Sequence, residues 1–214
     1  MSSPAQPPTE ASGPVRQFLR QHTHAAHVAL NRHPMLSGIT HPGYPILRYQ
    51  ALLAAYLPLY AGLEMAIEQY LSAYPPVFDY RTRRKLHWLV SDLAFFGHHA
   101  MPAPTVTPPI GNLAELIGVL YVIEGSTLGG GLIARLITQH LGIDAEQGGA
   151  FFNAYGVDTQ TRWQAFCSFI ETIAANPAQQ ALAAQRAVAT FNQFQQALDS
   201  AAEQPGLCAE PEAG

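Results

Sequence analysis

The sequence predicts an all-α protein, folded as a single compact multi-helix bundle. Apolar residues recur at intervals of three and four along most of the chain, and the alternating pattern of a β-strand is almost absent. Prolines and glycines stand between the periodic stretches, where they end helices. The chain has 214 residues, of which 48% are hydrophobic and 12% charged, so it can bury one sizeable core. A helical bundle satisfies all three observations.

Two terminal segments fall outside the predicted domain. Residues 1–14 and 202–214 are rich in Pro, Ala, Ser, Glu and Gly, a composition typical of disorder. The helical domain is therefore expected at residues 15–201. The first segment has no basic start followed by an apolar run, so it does not resemble a signal peptide.

Charge and cysteine content indicate a soluble cytoplasmic protein. A net charge of −4 gives no electrostatic reason to expect nucleic acid or an anionic membrane as a partner. The two cysteines, Cys167 and Cys208, cannot form a disulfide framework, and a reducing compartment suits them.

The first two helices follow from the apolar period and its interruptions. Residues 15–32 carry the period, and His33–Pro34 ends it because the residue before a proline avoids the helical conformation. A second periodic stretch covers residues 44–76. Pro58 falls inside that stretch and is expected to kink or split the helix.

The third and fourth helices end at glycines. Residues 81–96 are followed by Gly97, and residues 112–141 are followed by Gly142. The proline-rich stretch 98–112 between them is expected to be a loop. Two more helices, at about 158–175 and 177–201, complete the predicted bundle.

The fourth helix carries four glycines within one apolar segment, "LYVIEGSTLGGGLIARLI". Gly125, Gly129, Gly130 and Gly131 together cost about 4 kcal/mol relative to alanine in a helix interior. Because Gly125 and Gly129 are four residues apart, they share one face of the helix with Tyr121. A strip without side chains admits either a second helix in close packing or a flat ligand lying against bare backbone.

The first helix carries histidines that could bind a metal. A helical wheel places Val15, Leu19 and His22 on the apolar face and His27 on the strip beside it, so His22 and His27 are rival ligands. Each could equally be a hydrogen-bonded core histidine. Arg20 shares the strip with His27, about 10 Å away along the helix axis. That spacing suits a metal at the centre of a flat ligand with an acidic group on its edge.

Three segments resemble the heme oxygenase family, and most closely its bacterial members associated with phytochromes. "LRQHTHAAHVALN" resembles the proximal-helix pattern L-R-x-x-T-x-x-x-H. "YQALLAAYLPLYAGLE" resembles Y-x-x-L-L-x-x-Y-x-x-x-Y-x-x-L-E, and "LYVIEGSTLGG" resembles the distal-helix pattern Y-V-x-E-G-S-x-x-G-G. The resemblance covers about residues 15–200 and implies the heme oxygenase type of helical bundle.

On the proximal side, the resemblance implies that His27 is the axial ligand of the heme iron through Nε2. Arg20 and Tyr121 would bind the heme propionates, Arg20 as a charge-assisted donor. Asn31 stands where the family usually has a glutamate that polarises the imidazole N–H. An amide oxygen does this more weakly, so a slightly less basic ligand is expected.

On the distal side, the resemblance implies that Gly125, Gly129 and Gly130 line the pocket, where the helix bends over heme b and leaves room for O2. Ser126 occupies the position at which animal relatives have an aspartate that orders water.

A second departure from the family lies in the helix "TRWQAFCSFIE", which should supply basic groups for the propionates. Arg162 is its only cation. The usual register places Gln164 and Ser168 at the contact positions, which weakens the expected anchoring of the heme.

The implied activity is oxidative cleavage of heme to biliverdin, CO and free iron, with O2 and external electrons. The implied partners are an electron-donating reductase or ferredoxin and a phytochrome that receives biliverdin. The basic run "RTRRK" at residues 81–85 is expected to be a solvated helix start, or otherwise to dock an acidic electron donor.

Two other functions are open on the sequence, and a third is excluded by it. A heme-binding sensor or carrier without turnover would keep the same motifs, and a helical interaction module would bind no heme. A di-iron carboxylate enzyme needs Glu-x-x-His pairs, and none occurs in the chain.

Overall fold

The computed structural model describes residues 13–74 and 77–203, and within these ranges every regular element is a helix. The predicted all-α bundle is therefore confirmed. The helices are α1 (Pro14–Asn31), α2 (Ile46–Ala73), α3 (Leu86–Phe95), α4 (Leu113–Leu141), α5 (Ala150–Asn153), α6 (Thr159–Ile170) and α7 (Pro177–Ala202). The predicted tails, residues 1–14 and 202–214, lie outside the described residues except at Gly13, Pro14, Ala202 and Glu203.

Both ends of α4 are capped, the second at Gly142 as the sequence predicts. Asn112 accepts a hydrogen bond from the backbone N–H of Glu115 at 3.0 Å, and the Glu115 carboxylate accepts from Gly111 at 2.9 Å. Gly142 ends the helix with φ of 68°, a left-handed conformation that glycine adopts without a steric penalty. The helix is uninterrupted through all four glycines.

Pro58 does not divide α2, so of the two expected outcomes, a kink or a split, the split is wrong. The helix continues through Pro58, and most of the residues that follow it up to Ile67 are buried. Pro58 has no N–H to donate to the Ala54 carbonyl, and the packing of its buried neighbours offsets the loss of that hydrogen bond. The loop between α3 and α4 crosses α2 at this point, where the N–H of Thr105 donates to the Pro58 carbonyl at 2.9 Å.

The segment before α3 differs from its prediction. A 3₁₀ turn covers Arg81–Arg83, and α3 begins only at Leu86. The buried Glu64 carboxylate accepts hydrogen bonds from the backbone N–H groups of Lys85 and Leu86, which fixes the start of the helix.

The other differences are short. Helix α5 is a single turn that the sequence does not predict, because four residues are too few to show a helical period. It is held by Asp92 of α3, whose two carboxylate oxygens accept from the N–H groups of Ala150 and Phe151 at 2.9 and 2.8 Å. Helix α6 ends at Ile170, and a 3₁₀ turn replaces its predicted last turn.

The core lies between α2, α4 and α7, and close backbone packing joins α4 to α7. A β-carbon at Gly118 of α4 would collide with the carbonyl oxygen of Ala183 and would lie 3.0 Å from the backbone nitrogen of Ala187. By length and composition, α2 and α4 could each span a bilayer, but 72% and 56% of their apolar windows are buried in the bundle. Both helices therefore have the burial expected of core helices.

We predict that Gly118→Ala lowers the free energy of unfolding by about 1–3 kcal/mol, because the added methyl group forces α4 and α7 apart. The matched variant Gly131→Ala adds the same atom on the same helix, where nothing lies within 4 Å. It should raise the free energy by about 1 kcal/mol through helix propensity. Urea unfolding followed by circular dichroism measures both, and equal effects of the two variants would contradict the packing argument.

A second prediction concerns Asp92. Burial raises the pKa of its carboxyl from 3.8 to about 6, against two backbone hydrogen bonds that lower it. A carboxyl with a raised folded-state pKa favours folding most below pH 3.8, and this contribution is lost as the pH rises through 6. The unfolding free energy of the wild type minus that of Asp92→Asn should therefore fall by about 1–3 kcal/mol between pH 4 and pH 6. A constant difference over this range would contradict the prediction.

Candidate functional site

One face of α4 is open along its glycine segment. A β-carbon at Gly129 would meet nothing within 4 Å. A β-carbon at Gly125 would lie 3.7 Å from the ring of Trp163, an ordinary contact. Leu128 and Leu132, which flank Gly129 on this face, are 42% and 50% exposed. We call the stretch from Gly125 to Leu132 on this face the glycine strip; it is apolar and, apart from the Trp163 ring beside Gly125, open.

Gly130 packs on α5 and does not belong to the open strip, so its predicted place in the pocket stays a prediction for its backbone alone. It is buried, and a β-carbon there would lie 2.6 Å from the carbonyl oxygen of Phe152 in α5. The close-packing interpretation of the glycines therefore holds for Gly130, while Gly129 and Gly131 have no such neighbour. The same segment serves both purposes because successive residues point about 100° apart.

His27 lies on the exposed side of α1, partly covered by its neighbours, and has few partners. Its Nε2 lies 3.2 Å from the Nδ2 of Asn31, and its ring meets Phe191 of α7 edge-on at 5.7 Å. Burial lowers the pKa of His27, and the neighbouring His24 lowers it further. Both effects favour the neutral imidazole, the form that binds a metal.

His22, the rival ligand, is engaged within its own helix. Its Nδ1 donates to the Phe18 carbonyl at 2.8 Å, and its ring stacks on Phe18 at 3.8 Å. It is also exposed, so the predicted apolar face was wrong at this position. The buried residues of α1 are Val15 and Leu19, as predicted, together with Thr23 and Leu30.

Arg20 and Tyr121, predicted to bind the same group, lie close together. Burial raises the pKa of the Tyr121 phenol, while a hydrogen bond with Thr23 and the positive charges of Arg16 and Arg20 act in the opposite direction. The helices α1 and α4 thus meet at Thr23 and Tyr121. His27 follows Thr23 by one helical turn, and Gly125 follows Tyr121 by one turn.

Helix α6 offers no cation to this junction. Arg162 donates to the Thr82 carbonyl at 2.9 Å and lies over the ring of Tyr155 at 4.6 Å. Ser168 donates to the carbonyl of Gln164 at 3.1 Å. What α6 does contribute is Trp163, which is 6% exposed and has the guanidinium of Arg16 over its ring at 5.6 Å.

Ser126 has a neighbour that the sequence analysis did not assign. Its hydroxyl donates to the Ile123 carbonyl at 2.9 Å and also contacts the phenol of Tyr60 from α2. Burial raises the pKa of that phenol, so Tyr60 keeps its proton. The tyrosine was visible in the second motif, but only the fold shows that it reaches α4.

A buried ionic network holds α4 beside the glycine strip. Glu124, which precedes Gly125, is 1% exposed and binds Arg83 at 2.6 Å and Lys85 at 2.7 Å. The Tyr155 hydroxyl accepts from Lys85 and donates to Glu124, both at 2.8 Å. Arg83 and Lys85 are therefore neither solvated nor free to dock a partner, which corrects that interpretation of the basic run. Burial lowers the pKa of Lys85, and Glu124 opposes this effect.

A concavity of about 520 Å³ lies at the C-terminal ends of α1 and α7. Two of its polar residues are paired with each other: His33 Nε2 is 3.0 Å from Asp199 Oδ1, and His33 Nδ1 accepts from the N–H of Met35 at 3.1 Å. It includes none of the predicted site residues.

Comparisons with known proteins agree with one another. The model of the heme oxygenase family matches residues 14–200. The heme oxygenase of Xanthomonas campestris pv. campestris (strain 8004) is 36% identical over 89 residues, which are 42% of this chain and 52% of that protein. The matched region thus spans about half of that relative.

Two solved structures have a similar fold. Heme oxygenase from Leptospira interrogans has a TM-score of 0.71 at 16% identity, over 88% of this chain and all of that one. Heme oxygenase-1 from the cyanobacterium Synechocystis sp. PCC 6803, in complex with heme, has a TM-score of 0.69 at 12% identity, over 88% of this chain and 92% of that one. With a family model that matches nearly the whole helical domain, the chain belongs to the heme oxygenase family.

Proposed function

We propose that this protein is a heme oxygenase, which cleaves heme to biliverdin, CO and free iron with O2 and electrons from a separate donor. The observation that carries this proposal is the open glycine strip of α4 beside the contact of Tyr121 with Thr23 of α1. His27 follows Thr23 by one helical turn, and its lowered pKa favours the neutral imidazole that binds a metal. A β-carbon at Gly129 would meet nothing within 4 Å, which leaves room for a flat ligand against this face.

The proximal residues fit an iron porphyrin. His27 would ligate the iron through Nε2, which must exchange its 3.2 Å contact with the Asn31 amide for the metal. Arg20 and Tyr121 would bind the carboxylates at the porphyrin edge as charged and neutral donors. The Asn31 side chain is a neutral amide. It would polarise the imidazole less than a carboxylate does, and the iron ligand would be less basic.

The distal residues fit the space that the reaction needs. Bound heme supplies the oxidative chemistry, in which O2 is activated at the iron and attacks the porphyrin itself. Gly125 and Gly129 keep side chains away from that position. Ser126, with the protonated phenol of Tyr60 beside it, offers hydroxyl groups that can hold a water or pass a proton. Gly130 would act only through the packing of α4 on α5.

The proposal also covers the electron donor and the protein that receives the product. The electron donor would be a reductase or a ferredoxin, which must dock without the buried charges of Arg83 and Lys85. The resemblance of the distal motif to phytochrome-associated members supports a phytochrome as the acceptor of biliverdin. The composition and cysteine content support a cytoplasmic location.

A heme sensor or carrier without turnover is the second candidate function. Asn31 in place of the usual glutamate favours it, and so does the engagement of Arg162 with Thr82 and Tyr155. Both differences reduce the forces that would hold and polarise a bound heme.

The proposal predicts turnover that depends on His27. Purified protein with hemin, O2 and ascorbate or a ferredoxin system should lose its Soret band while biliverdin appears. His27→Ala should bind hemin at least about tenfold more weakly, because one coordinate bond is removed. External imidazole should restore its spectrum. Absorption titration and product analysis measure these effects.

The controls for this experiment are His22→Ala and His24→Ala, which should retain wild-type spectra. A stable Soret band in the wild type under reductant would favour the carrier instead. If His22→Ala alone abolished the spectrum, the assigned ligand would be wrong.

The glycine strip gives a matched pair of variants. Gly129→Leu should abolish hemin binding, since its side chain would fill the space where the porphyrin lies. Gly131→Leu adds an equal side chain into open space, but about 200° around the helix from Gly129, and should bind hemin within about threefold of the wild type. Both should be at least as stable as the wild type, because leucine favours a helix more than glycine does. Equal hemin affinities for the two variants would contradict a porphyrin on this strip.

A further inference from the structure

The indole nitrogen of Trp163 is buried and, within residues 13–74 and 77–203, has no hydrogen-bond partner. Buried tryptophan N–H groups usually find an acceptor, because an unpaired donor costs free energy. Trp163 itself is only 6% exposed and belongs to the middle of α6. An unpaired donor at such a position points to an acceptor that comes from outside the chain.

The surroundings of this indole belong to the candidate site. The edge of its ring remote from Nε1, at Cζ3 and Cη2, lies 3.7 Å from the position of a β-carbon at Gly125, and its ring centre lies 6.1 Å from that of Tyr121. The guanidinium of Arg16 lies over it at 5.6 Å. Trp163 therefore lies where α1, α4 and α6 meet, beside the start of the glycine strip.

We propose that Trp163 is a further heme-binding residue, whose Nε1–H donates to a porphyrin carboxylate held beside Arg16. This inference rests on the proposed function. Because Arg162 is engaged with Thr82 and Tyr155, α6 contributes no cation to the porphyrin carboxylate. It contributes the indole N–H of Trp163 as a donor. Arg16 supplies the charge, and its position over the indole lets both donors reach one carboxylate.

The acidic group at this end of α1 does not compete for these donors. Both carboxylate oxygens of Glu171 are engaged by the backbone N–H groups of Val15 and Arg16, each at 3.3 Å. They cap the first turn of α1 and leave the guanidinium of Arg16 directed to the indole.

The test compares two ligands that differ only in their carboxylates, hemin and hemin dimethyl ester. Trp163→Phe, which keeps an aromatic ring but lacks the N–H, should bind hemin about tenfold more weakly than the wild type. It should bind the ester within about twofold of the wild type. Trp88→Phe is the matched control, since the Trp88 ring packs edge-on against Tyr155 at 5.6 Å and Trp88 is not among the predicted heme contacts; its affinities should be unchanged.

A second measurement uses the wild-type protein, so it does not depend on the folding of a variant. In ¹⁵N–¹H spectra of the wild type with diamagnetic zinc protoporphyrin, the Trp163 indole proton should lie further downfield, and exchange more slowly, than with the dimethyl ester. The ring current is the same for both ligands, so the difference reports the hydrogen bond. The Trp88 indole signal should be the same in both complexes.

The outcomes separate this inference from the proposed function. Equal losses of hemin and ester affinity in Trp163→Phe would assign the indole a packing role and overturn the inference. An unchanged hemin affinity, or identical indole signals with both ligands, would overturn it as well, while turnover by the wild type would leave the proposed function intact. A wild-type protein that binds no hemin would overturn both.

Discussion

The main constraint on this fold is that a central helix must lack side chains along part of one face and still remain a helix. Glycine loses more conformational freedom on folding than any other residue, and four of them in α4 cost about 4 kcal/mol relative to alanine. The helix nevertheless runs without interruption from Leu113 to Leu141. Tertiary contacts have to supply what the local sequence does not.

Those contacts lie on the faces of α4 that are not open. Gly118 allows the backbone of α7 to approach closely, and Gly130 does the same for Phe152 of α5. Next to the strip, Glu124 is fixed by two buried cations and the Tyr155 hydroxyl. Burying three charges is costly, but each is paired, and loss of one partner would leave a charge unpaired at about 3–5 kcal/mol. The network thus ties the start of the strip to the segment before α3.

The opposite side of the site is built with much less constraint. His27 has one hydrogen-bond contact, to Asn31, and one edge-on aromatic contact, to Phe191. Its imidazole can therefore change partner at little cost. If the proposed site is right, a firmly held α4 and a loosely held His27 imidazole suit a ligand that completes the packing when it binds.

The sequence by itself determined the helical class and the ends of α1, α4 and α7, and it supplied the candidate site residues on α1 and α4. These follow from local signals: the apolar period, Gly142 at the end of α4, and motifs of consecutive residues. Local signals also located the glycines, but they could not separate Gly129, which faces open space, from Gly130, which packs on α5.

Only the tertiary structure decided that separation, together with the burial of Arg83 and Lys85, the contact of Tyr60 with Ser126 and the unpaired nitrogen of Trp163. Each depends on groups that lie far apart in sequence. The sequence predicts that Arg83 and Lys85 are solvated, because their partner, Glu124, is some forty residues away. The charge pattern of a segment indicates its affinity for water. Whether its charged side chains can be buried depends on the partners that distant parts of the chain place beside them.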